Sequence, residues 1–184
     1  SYVTMKITFA NVLGEICSRI PHADADEITN AIGDDRRIGK YFFKSGLGYG
    51  GPCFPRDNFA FAHMAQKRGI KTPLALATHE TNIRIPQKMV SIIRSVAKNK
   101  KEPIAILGLS YKQDTPVVEQ SQALTIAATL AAANYPVVVY DPLGYEHARP
   151  ALPGKNVRWA VTLTDAISQA RHIFIANRDK NFDN

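Results

Sequence analysis

Cys53 is the residue of this 184-residue chain whose type and position best suit chemistry. It follows a glycine-rich stretch and comes just before Pro55, a residue that suits the first turn of a helix. A thiol at a helix N-terminus faces oriented N–H groups, and Arg56 adds a cation, so both favour the nucleophilic thiolate. Asp57 lies four residues on, about one helical turn away, where it could exchange protons with a reacting group or orient water. The alternative, a small buried hydrophobic residue, is what we expect for Cys17.

The stretch before Cys53, Gly46-Leu47-Gly48-Tyr49-Gly50-Gly51, matches the G-x-G-x-x-G pattern of dinucleotide-binding folds. Its context differs, because no buried strand precedes it and Pro52 comes before the helix. Four glycines in six residues give up side-chain packing and add to the entropy cost of folding. Either the main chain approaches a ligand closely here, or the stretch is an irregular loop.

A second candidate lies in Gly108-Leu109-Ser110-Tyr111-Lys112, in the other half of the chain. This stretch follows a predicted strand, so it lies at the carboxyl end of that strand, where open α/β sheets bind ligands. Lys112 could meet a phosphate group there, or it could be a solvated loop lysine. Asp141 follows the next predicted strand and is expected to begin a turn.

Helical periodicity dominates the first half of the chain, which must position the Cys53 loop. The predicted helices cover residues 1–20, 24–33, 55–69 and 73–97, and a loop covers residues 39–55. Pro86 lies inside the fourth helix, where we expect a kink or a break. The first and fourth helices present more apolar face than one small domain covers, which favours a homodimer.

The second half of the chain alternates between strands and helices. Predicted strands cover residues 104–108, 137–140 and 172–176, and predicted helices cover residues 123–133 and 164–170. This alternation indicates a parallel sheet of the doubly wound kind. The fold class is therefore α/β: an all-helical region over residues 1–97, followed by a Rossmann-like parallel-sheet domain over residues 98–184.

Charge and composition narrow the classes of function. Lysine and arginine outnumber acidic residues by 23 to 16, a net charge of +7 that favours an anionic partner. The basic run over residues 98–101 is not interleaved with aromatic residues, so we expect no nucleic acid partner. No apolar run approaches the roughly 18–20 residues of a membrane span, and two cysteines make neither a disulfide framework nor a four-thiolate zinc site. We expect a cytoplasmic protein without membrane or metal.

The segment Gly48-Tyr49-Gly50-Gly51-Pro52-Cys53-Phe54-Pro55-Arg56-Asp57 resembles the motif G-[YF]-G-G-x-C-[FL]-P-K-D of the UDP-glucose/GDP-mannose dehydrogenase family. Three other stretches agree. Residues 6–11 and 15–17 resemble the family's central helix, and residues 32–39 resemble its D-x-R-I-G segment. Residues 106–112 and 139–142 resemble the opening of its C-terminal domain. The resemblance covers nearly the whole chain but only the second half of a family member, without the N-terminal NAD-binding domain.

The resemblance implies an NAD-dependent, two-step oxidation of the C6 alcohol of a nucleotide sugar to a carboxylate. Cys53 would attack the intermediate aldehyde, and Asp57 would assist proton movement and water. Arg37 would reach the sugar from a partner subunit. The implied contacts with the nucleotide sugar come from Phe42, Lys44, Ser45, Gly46, Tyr49, Gly50, Gly51 and Lys112. Of the family's substrates, UDP-glucose fits best.

Three departures accompany the resemblance. The family's catalytic lysine and asparagine would fall before Ser1, Arg56 stands where lysine is usual, and Glu119 stands where an arginine would meet the cofactor. The alternatives are a dehydrogenase of another nucleotide sugar, GDP-mannose or a UDP-N-acetyl-hexosamine, and a non-catalytic dimerisation or nucleotide-sugar-binding module. We expect this chain to be a piece of a longer protein that turns over little or nothing by itself.

Overall fold

The computed structural model describes residues 1–177 and 179–182. The chain divides into two compact units. The helical unit contains Ser1–Tyr49 and Cys53–Arg84, and the sheet unit contains Gly50–Pro52 and the chain from Ile85 onward. This division lies earlier in the chain than the boundary at residue 97 that the sequence predicts.

Three helices, α1 (Tyr2–Cys17), α2 (Ala25–Gly33) and α3 (Phe54–Gln66), lie in the helical unit. Helix α1 ends before the predicted residue 20 because Pro21 disfavours helical backbone before it, and the chain closes in tight turns instead. Helix α2 begins as predicted: Asp24 caps it by accepting hydrogen bonds from the N–H groups of Asp26 and Glu27, at 2.7 and 3.1 Å.

Helix α4 (Pro73–Val96) is the longest helix and continues through Pro86. Of the predicted kink or break at Pro86, the break is therefore wrong, and the kink stays a prediction. Proline removes one backbone hydrogen bond and crowds the carbonyl four residues earlier, that of Asn82. Buried residues on both sides, among them Asn82 at 4% and Val90 at 5% exposure, hold this segment helical in spite of that cost.

The sheet unit is built on four parallel strands in the order β3-β2-β1-β4. They are β1 (Ile104–Leu107), β2 (Val137–Tyr140), β3 (Val157–Trp159) and β4 (His172–Ile175). Three helices connect them: α5 (Gln122–Ala132), α6 (Tyr145–Ala148) and α7 (Leu163–Ser168). Every residue of β1 is buried, as expected for a central strand covered on both faces. The predicted parallel sheet is confirmed.

Strand β3 is the strand that the sequence prediction missed. It has three residues, and the exposed Arg158 stands between two half-buried ones. It lies at the edge of the sheet, where it pairs with β2 alone, so the continuous apolar run of a central strand is not required. Short 3₁₀ helices at Arg149–Ala151 and Lys180–Phe182 were likewise not predicted.

Candidate active site

Cys53 lies at the exposed N-terminus of α3, as its position before Pro55 predicts. It is the N-cap residue, and its side chain accepts no capping hydrogen bond from the described residues. The N–H of Asp57 donates to the carbonyl oxygen of Cys53 at 2.8 Å, which closes the first turn of the helix. The thiol and the carboxylate are therefore held one turn apart by regular helix geometry.

Arg56, the cation that follows Cys53 in the sequence, is paired with Asp57. The Nε of Arg56 donates to Asp57 Oδ1 at 2.9 Å, and a terminal nitrogen of the same guanidinium lies 2.9 Å from that oxygen. Both side chains are largely exposed, so water screens the pair. The positive charge of Arg56 is therefore paired with a carboxylate rather than isolated.

Tyr49 is the best-anchored residue of the loop that leads to Cys53. Its N–H donates to Oδ1 of Asn82 at 2.9 Å, and Nδ2 of Asn82 donates to the Tyr49 carbonyl at 3.0 Å. Its ring contacts that of Phe54 edge-on, with centroids 6.4 Å apart. The Tyr49 hydroxyl is buried without a hydrogen-bond partner in the described part of the chain. Burial raises the pKa of Tyr49 to about 12.

Helix α1 holds the earlier part of the same loop. The N–H of Gly46 donates to Oδ1 of Asn11 at 2.8 Å, and Ser45 lies directly against Gly14. Gly46 itself has open space around it, so its lack of a side chain is not required by any described neighbour. A close approach of main chain to a ligand remains a prediction for Gly46.

Gly50 and Gly51 are required by contacts within the sheet unit. A Cβ on Gly50 would lie 2.4 Å from the carbonyl oxygen of Gln120, and one on Gly51 would lie 2.6 Å from the ring of Tyr111. Gly51 also has a φ of +78°, a conformation that favours glycine. Its N–H donates to the carbonyl of Glu119 at 3.0 Å. At these two positions the close approach that requires glycine is therefore made by the protein's own residues and not by a ligand.

The remaining loop residues with predicted roles are exposed. Arg37 donates from Nε to Asp35 Oδ1 at 3.0 Å and from a terminal nitrogen to Oδ2 at 2.5 Å. This hydrogen bonding raises the pKa of Arg37 and lowers the pKa of Asp35. Phe42 has a positive φ of 60° and contacts Phe54 edge-on. Lys44 is exposed to solvent. The structure therefore brings Phe42, Tyr49 and Cys53 together around Phe54, whereas Arg37 is paired with Asp35.

Asp141 organises the carboxyl end of the sheet. Its buried carboxylate accepts four backbone N–H groups: those of Leu109 and Ser110 at 2.6 and 2.8 Å, and those of Leu143 and Gly144 at 2.9 and 2.5 Å. The turn predicted at Asp141 is confirmed, and Asp141 also fixes the loop after β1. That loop continues to Lys112, which is exposed with its Nζ 5.6 Å from the centre of the Tyr111 ring.

The residues at this end of the sheet do not fit a dinucleotide. In dinucleotide-binding folds the pyrophosphate is held by backbone N–H groups at the turn after the first strand. Here the N–H groups of Leu109 and Ser110, which follow β1, already donate to the carboxylate of Asp141. The described residues therefore provide no dinucleotide cradle at this position.

Neither a metal centre nor a membrane span is found in residues 1–177 and 179–182. Within that range, no group of three histidine, cysteine or acidic side chains could hold a metal ion. The described helices include none with the length and apolar character of a membrane span.

Two asparagines that were not predicted from the sequence, Asn11 and Asn82, hydrogen-bond the main chain of the loop. Both lie inside helices, where a polar residue usually belongs to a solvated face. The available signal was their type: asparagine is a weak helix former, so an asparagine in an apolar helical stretch indicates that its amide has a partner.

Comparison with known proteins agrees with these observations. Residues 1–84 match the model of the UDP-glucose/GDP-mannose dehydrogenase family central domain, and residues 105–184 match that of the family's UDP binding domain. UDP-glucose 6-dehydrogenase AglM of Haloferax volcanii is 32% identical over 176 residues, which cover 96% of this chain and 40% of that protein. UDP-glucose 6-dehydrogenase of Rickettsia conorii is 32% identical over 184 residues, which cover 99% of this chain and 42% of that protein.

The solved structures give the same result. A UDP-glucose dehydrogenase from Pyrobaculum islandicum superposes with a TM-score of 0.92 at 29% identity, over 99% of this chain and 42% of that one. The chain thus spans about two fifths of the length of the relatives that it matches. On the agreement of both family models with these relatives, the chain belongs to the UDP-glucose/GDP-mannose dehydrogenase family.

Proposed function

We propose that this chain is the catalytic-cysteine and nucleotide-sugar-binding part of an NAD-dependent UDP-glucose 6-dehydrogenase. The observation that carries the proposal is the exposed thiol of Cys53 at the N-terminus of α3, one turn from the carboxylate of Asp57. The relatives named UDP-glucose 6-dehydrogenase support UDP-glucose as the substrate. By the family motif, Phe42, Lys44, Ser45, Gly46, Tyr49, Gly50, Gly51 and Lys112 would contact it, and Arg37 would reach it from a partner subunit.

In the proposed chemistry Cys53 is the nucleophile that attacks the aldehyde formed at C6 of the sugar. Its Sγ adds to the aldehyde carbon, an S–C bond forms, and the carbonyl oxygen gains a proton to give a thiohemiacetal. After oxidation to a thioester, water adds to the carbonyl carbon and the C–S bond breaks, which releases the carboxylate and returns the thiol. Asp57 would take a proton from that water.

The hydride acceptor that the oxidation needs is proposed to be NAD. Among the described residues, the backbone N–H groups after β1 that could hold its pyrophosphate already donate to Asp141. This chain's own part in the reaction is accordingly confined to the nucleotide sugar and its covalent intermediate. A cytoplasmic location is proposed on chemical grounds, because the thiols of Cys53 and Cys17 are unpaired and the reaction requires a reduced Cys53.

A homodimer is also proposed, through α1. Four apolar side chains on one face of this helix are 38–63% exposed: Tyr2, Phe9, Val12 and Ile16. Contiguous apolar surface of this kind is typical of an interaction site. A second copy would bury it and would bring a second Arg37 into the assembly.

Titration of this chain with UDP-glucose, combined with peptide-resolved alkylation of Cys53, tests the proposed function. We expect saturable binding that slows alkylation of Cys53, whereas the buried Cys17 reacts only on unfolding. GDP-mannose and a UDP-N-acetyl-hexosamine added as competitors separate UDP-glucose from the alternative substrates. If UDP-glucose binds and leaves Cys53 unprotected, the non-catalytic binding module is favoured. If no nucleotide sugar binds at all, the proposed substrate class is wrong.

A further inference from the structure

The side chain of Asn82 hydrogen-bonds the main chain of Tyr49 in the way that a neighbouring β-strand would. It accepts the Tyr49 N–H at 2.9 Å and donates to the Tyr49 carbonyl at 3.0 Å. A carboxamide is suited to this because it offers a donor and an acceptor side by side, as a peptide group does. Asn82 is 4% exposed and Tyr49 is 5% exposed, so water does not compete for either hydrogen bond.

The constraint on Tyr49 continues to the reactive thiol. The Tyr49 ring meets the Phe54 ring edge-on, at an interplanar angle of 80°. Phe54 is the first residue of α3, and Cys53 is the N-cap residue next to it. A continuous series of packed groups therefore runs from α4 through Tyr49 and Phe54 to the residue that carries Sγ.

We propose that Asn82 is a positioning residue that fixes Cys53 through the main chain of Tyr49. This proposal rests on the proposed function, in which Cys53 is the nucleophile. Asn82 does not touch the reacting atoms. Its effect is to keep the loop in one conformation, so that the thiol meets its target without first ordering the loop.

Two variants of Asn82 separate positioning from a general loss of stability. Asn82→Ala removes both hydrogen bonds. Asn82→Asp keeps the shape, but as a carboxylate it can only accept, so it faces the Tyr49 carbonyl without a donor. When protonated, the same side chain both donates and accepts. Thr78→Val is the matched control, since Thr78 is 5% exposed and lies one turn earlier on the same helix.

The measurement is the rate at which a dipyridyl disulfide modifies Cys53, resolved by peptide, with and without UDP-glucose. Such reagents react with thiols at acidic as well as neutral pH. For Asn82→Ala we expect a changed rate without ligand and protection by UDP-glucose weakened on the order of tenfold. For Asn82→Asp we expect the same change in rate and protection at neutral pH. Near about pH 5 both should return toward the wild-type values, and at each pH the variant is compared with the wild type at that pH.

Each outcome decides the proposal. Suppose that Thr78→Val and Asn82→Ala lower the melting temperature equally, but only Asn82→Ala changes the modification rate and protection of Cys53. The effect of Asn82 is then on the position of Cys53 and not on overall stability. If Asn82→Ala leaves both the ligand-free rate and the protection within about twofold of the wild type, Asn82 is not a positioning residue. Absence of protection in the wild type would count against the proposed function instead, and the ligand-free rates would then decide the role of Asn82.

Discussion

Ser45 occupies the space that a side chain on Gly14 would need. A Cβ on Gly14 would lie 1.9 Å from Ser45 Oγ and 2.7 Å from Ser45 Cβ. Gly14 lies within α1, where glycine costs about 1 kcal/mol relative to alanine. This unfavourable glycine occurs where Ser45 of the loop packs against the helix. About one turn earlier, Asn11 accepts a hydrogen bond from the N–H of Gly46 in the same loop.

Gly14→Ala is therefore expected to destabilise the protein although alanine is the better helix former. Overpacking costs about 1–3 kcal/mol in the free energy of unfolding, measured by urea denaturation. Gly46→Ala, at a position with open space, should change stability little. The double variant Gly14→Ala with Ser45→Gly removes the clash and should recover most of the loss. A Gly14→Ala protein as stable as the wild type would show that the loop moves aside freely.

The pair formed by Arg56 and Asp57 predicts opposite effects on the thiol of Cys53. Asp57→Asn removes a negative charge one turn from Cys53 and the carboxylate that pairs with Arg56, so the surroundings of the thiol become more positive. We expect alkylation of Cys53 at neutral pH to accelerate about two- to fivefold. Arg56→Gln should slow it. Asp34→Asn, which removes a charge elsewhere in the helical unit, is the control and should have no effect. Equal rates in all four proteins would mean that neither charge acts on the thiol.

The predicted strands and most helices follow from local patterns that the sequence displays directly. The apolar runs around Ile104 and Val137 become parallel strands because a sheet covered on both faces requires continuous apolar residues. Pro86 misleads because proline in isolation breaks a helix, whereas here buried neighbours on both sides determine the outcome. Strand β3 has too few residues for any pattern, and its pairing with β2 comes from the arrangement of the sheet.

The candidate site likewise has some features that the sequence predicts and others that it does not. Cys53 and Asp57 could be predicted because their relation is one helical turn. The partners of Tyr49 and Gly46 could not, because they come from 33 and 35 residues away along the chain. The requirement for glycine at position 51 likewise arises from the ring of Tyr111, 60 residues later, and the sequence does not display that contact.

Among the acidic residues of the sheet unit, we expect substitution of Asp141 to lower the free energy of unfolding most. Asp141→Asn replaces one oxygen by an NH₂ group, which would face N–H donors that it cannot accept. We expect a loss of about 2–3 kcal/mol in the free energy of unfolding, the cost of leaving buried polar groups unpaired. Urea denaturation measures it. Asp114→Asn is the control, since Asp114 is exposed and its φ of 57° suits asparagine equally well. Equal stability of the two variants would contradict the organising role of Asp141.

The exposed face of α1 predicts the oligomeric state. Ile16, 49% exposed, lies on that face beside Val12. In a dimer formed there, Ile16→Asp would bury a charge against apolar residues, which is strongly unfavourable. Light scattering at micromolar concentration should therefore give a dimer for the wild type and a monomer for Ile16→Asp. Asn30→Asp adds the same charge on an exposed position of α2 and should leave the dimer intact. A monomeric wild type would refute the proposed homodimer.

The buried hydroxyl of Tyr49 predicts how stability responds to alkaline pH. Burial raises the pKa of Tyr49 to about 12 from its ordinary value of 10.0, so the folded state holds this proton more tightly than the unfolded state. Stability from this group is intact below about pH 10 and is lost as the pH rises toward 12. Tyr49→Phe removes the group and also a buried hydroxyl without a described partner.

We expect Tyr49→Phe to be more stable than the wild type by about 1 kcal/mol at pH 8, with a larger advantage above pH 10. Lysines titrate over the same range, but they do so in both proteins, and the difference between the two isolates Tyr49. Tyr41→Phe is the control, since Tyr41 is 85% exposed and its removal should not change the pH dependence. Urea denaturation at intervals from pH 8 to 11.5 measures all three proteins. Parallel curves for Tyr49→Phe and the wild type would mean that the hydroxyl ionises as freely in the folded protein as in the unfolded chain.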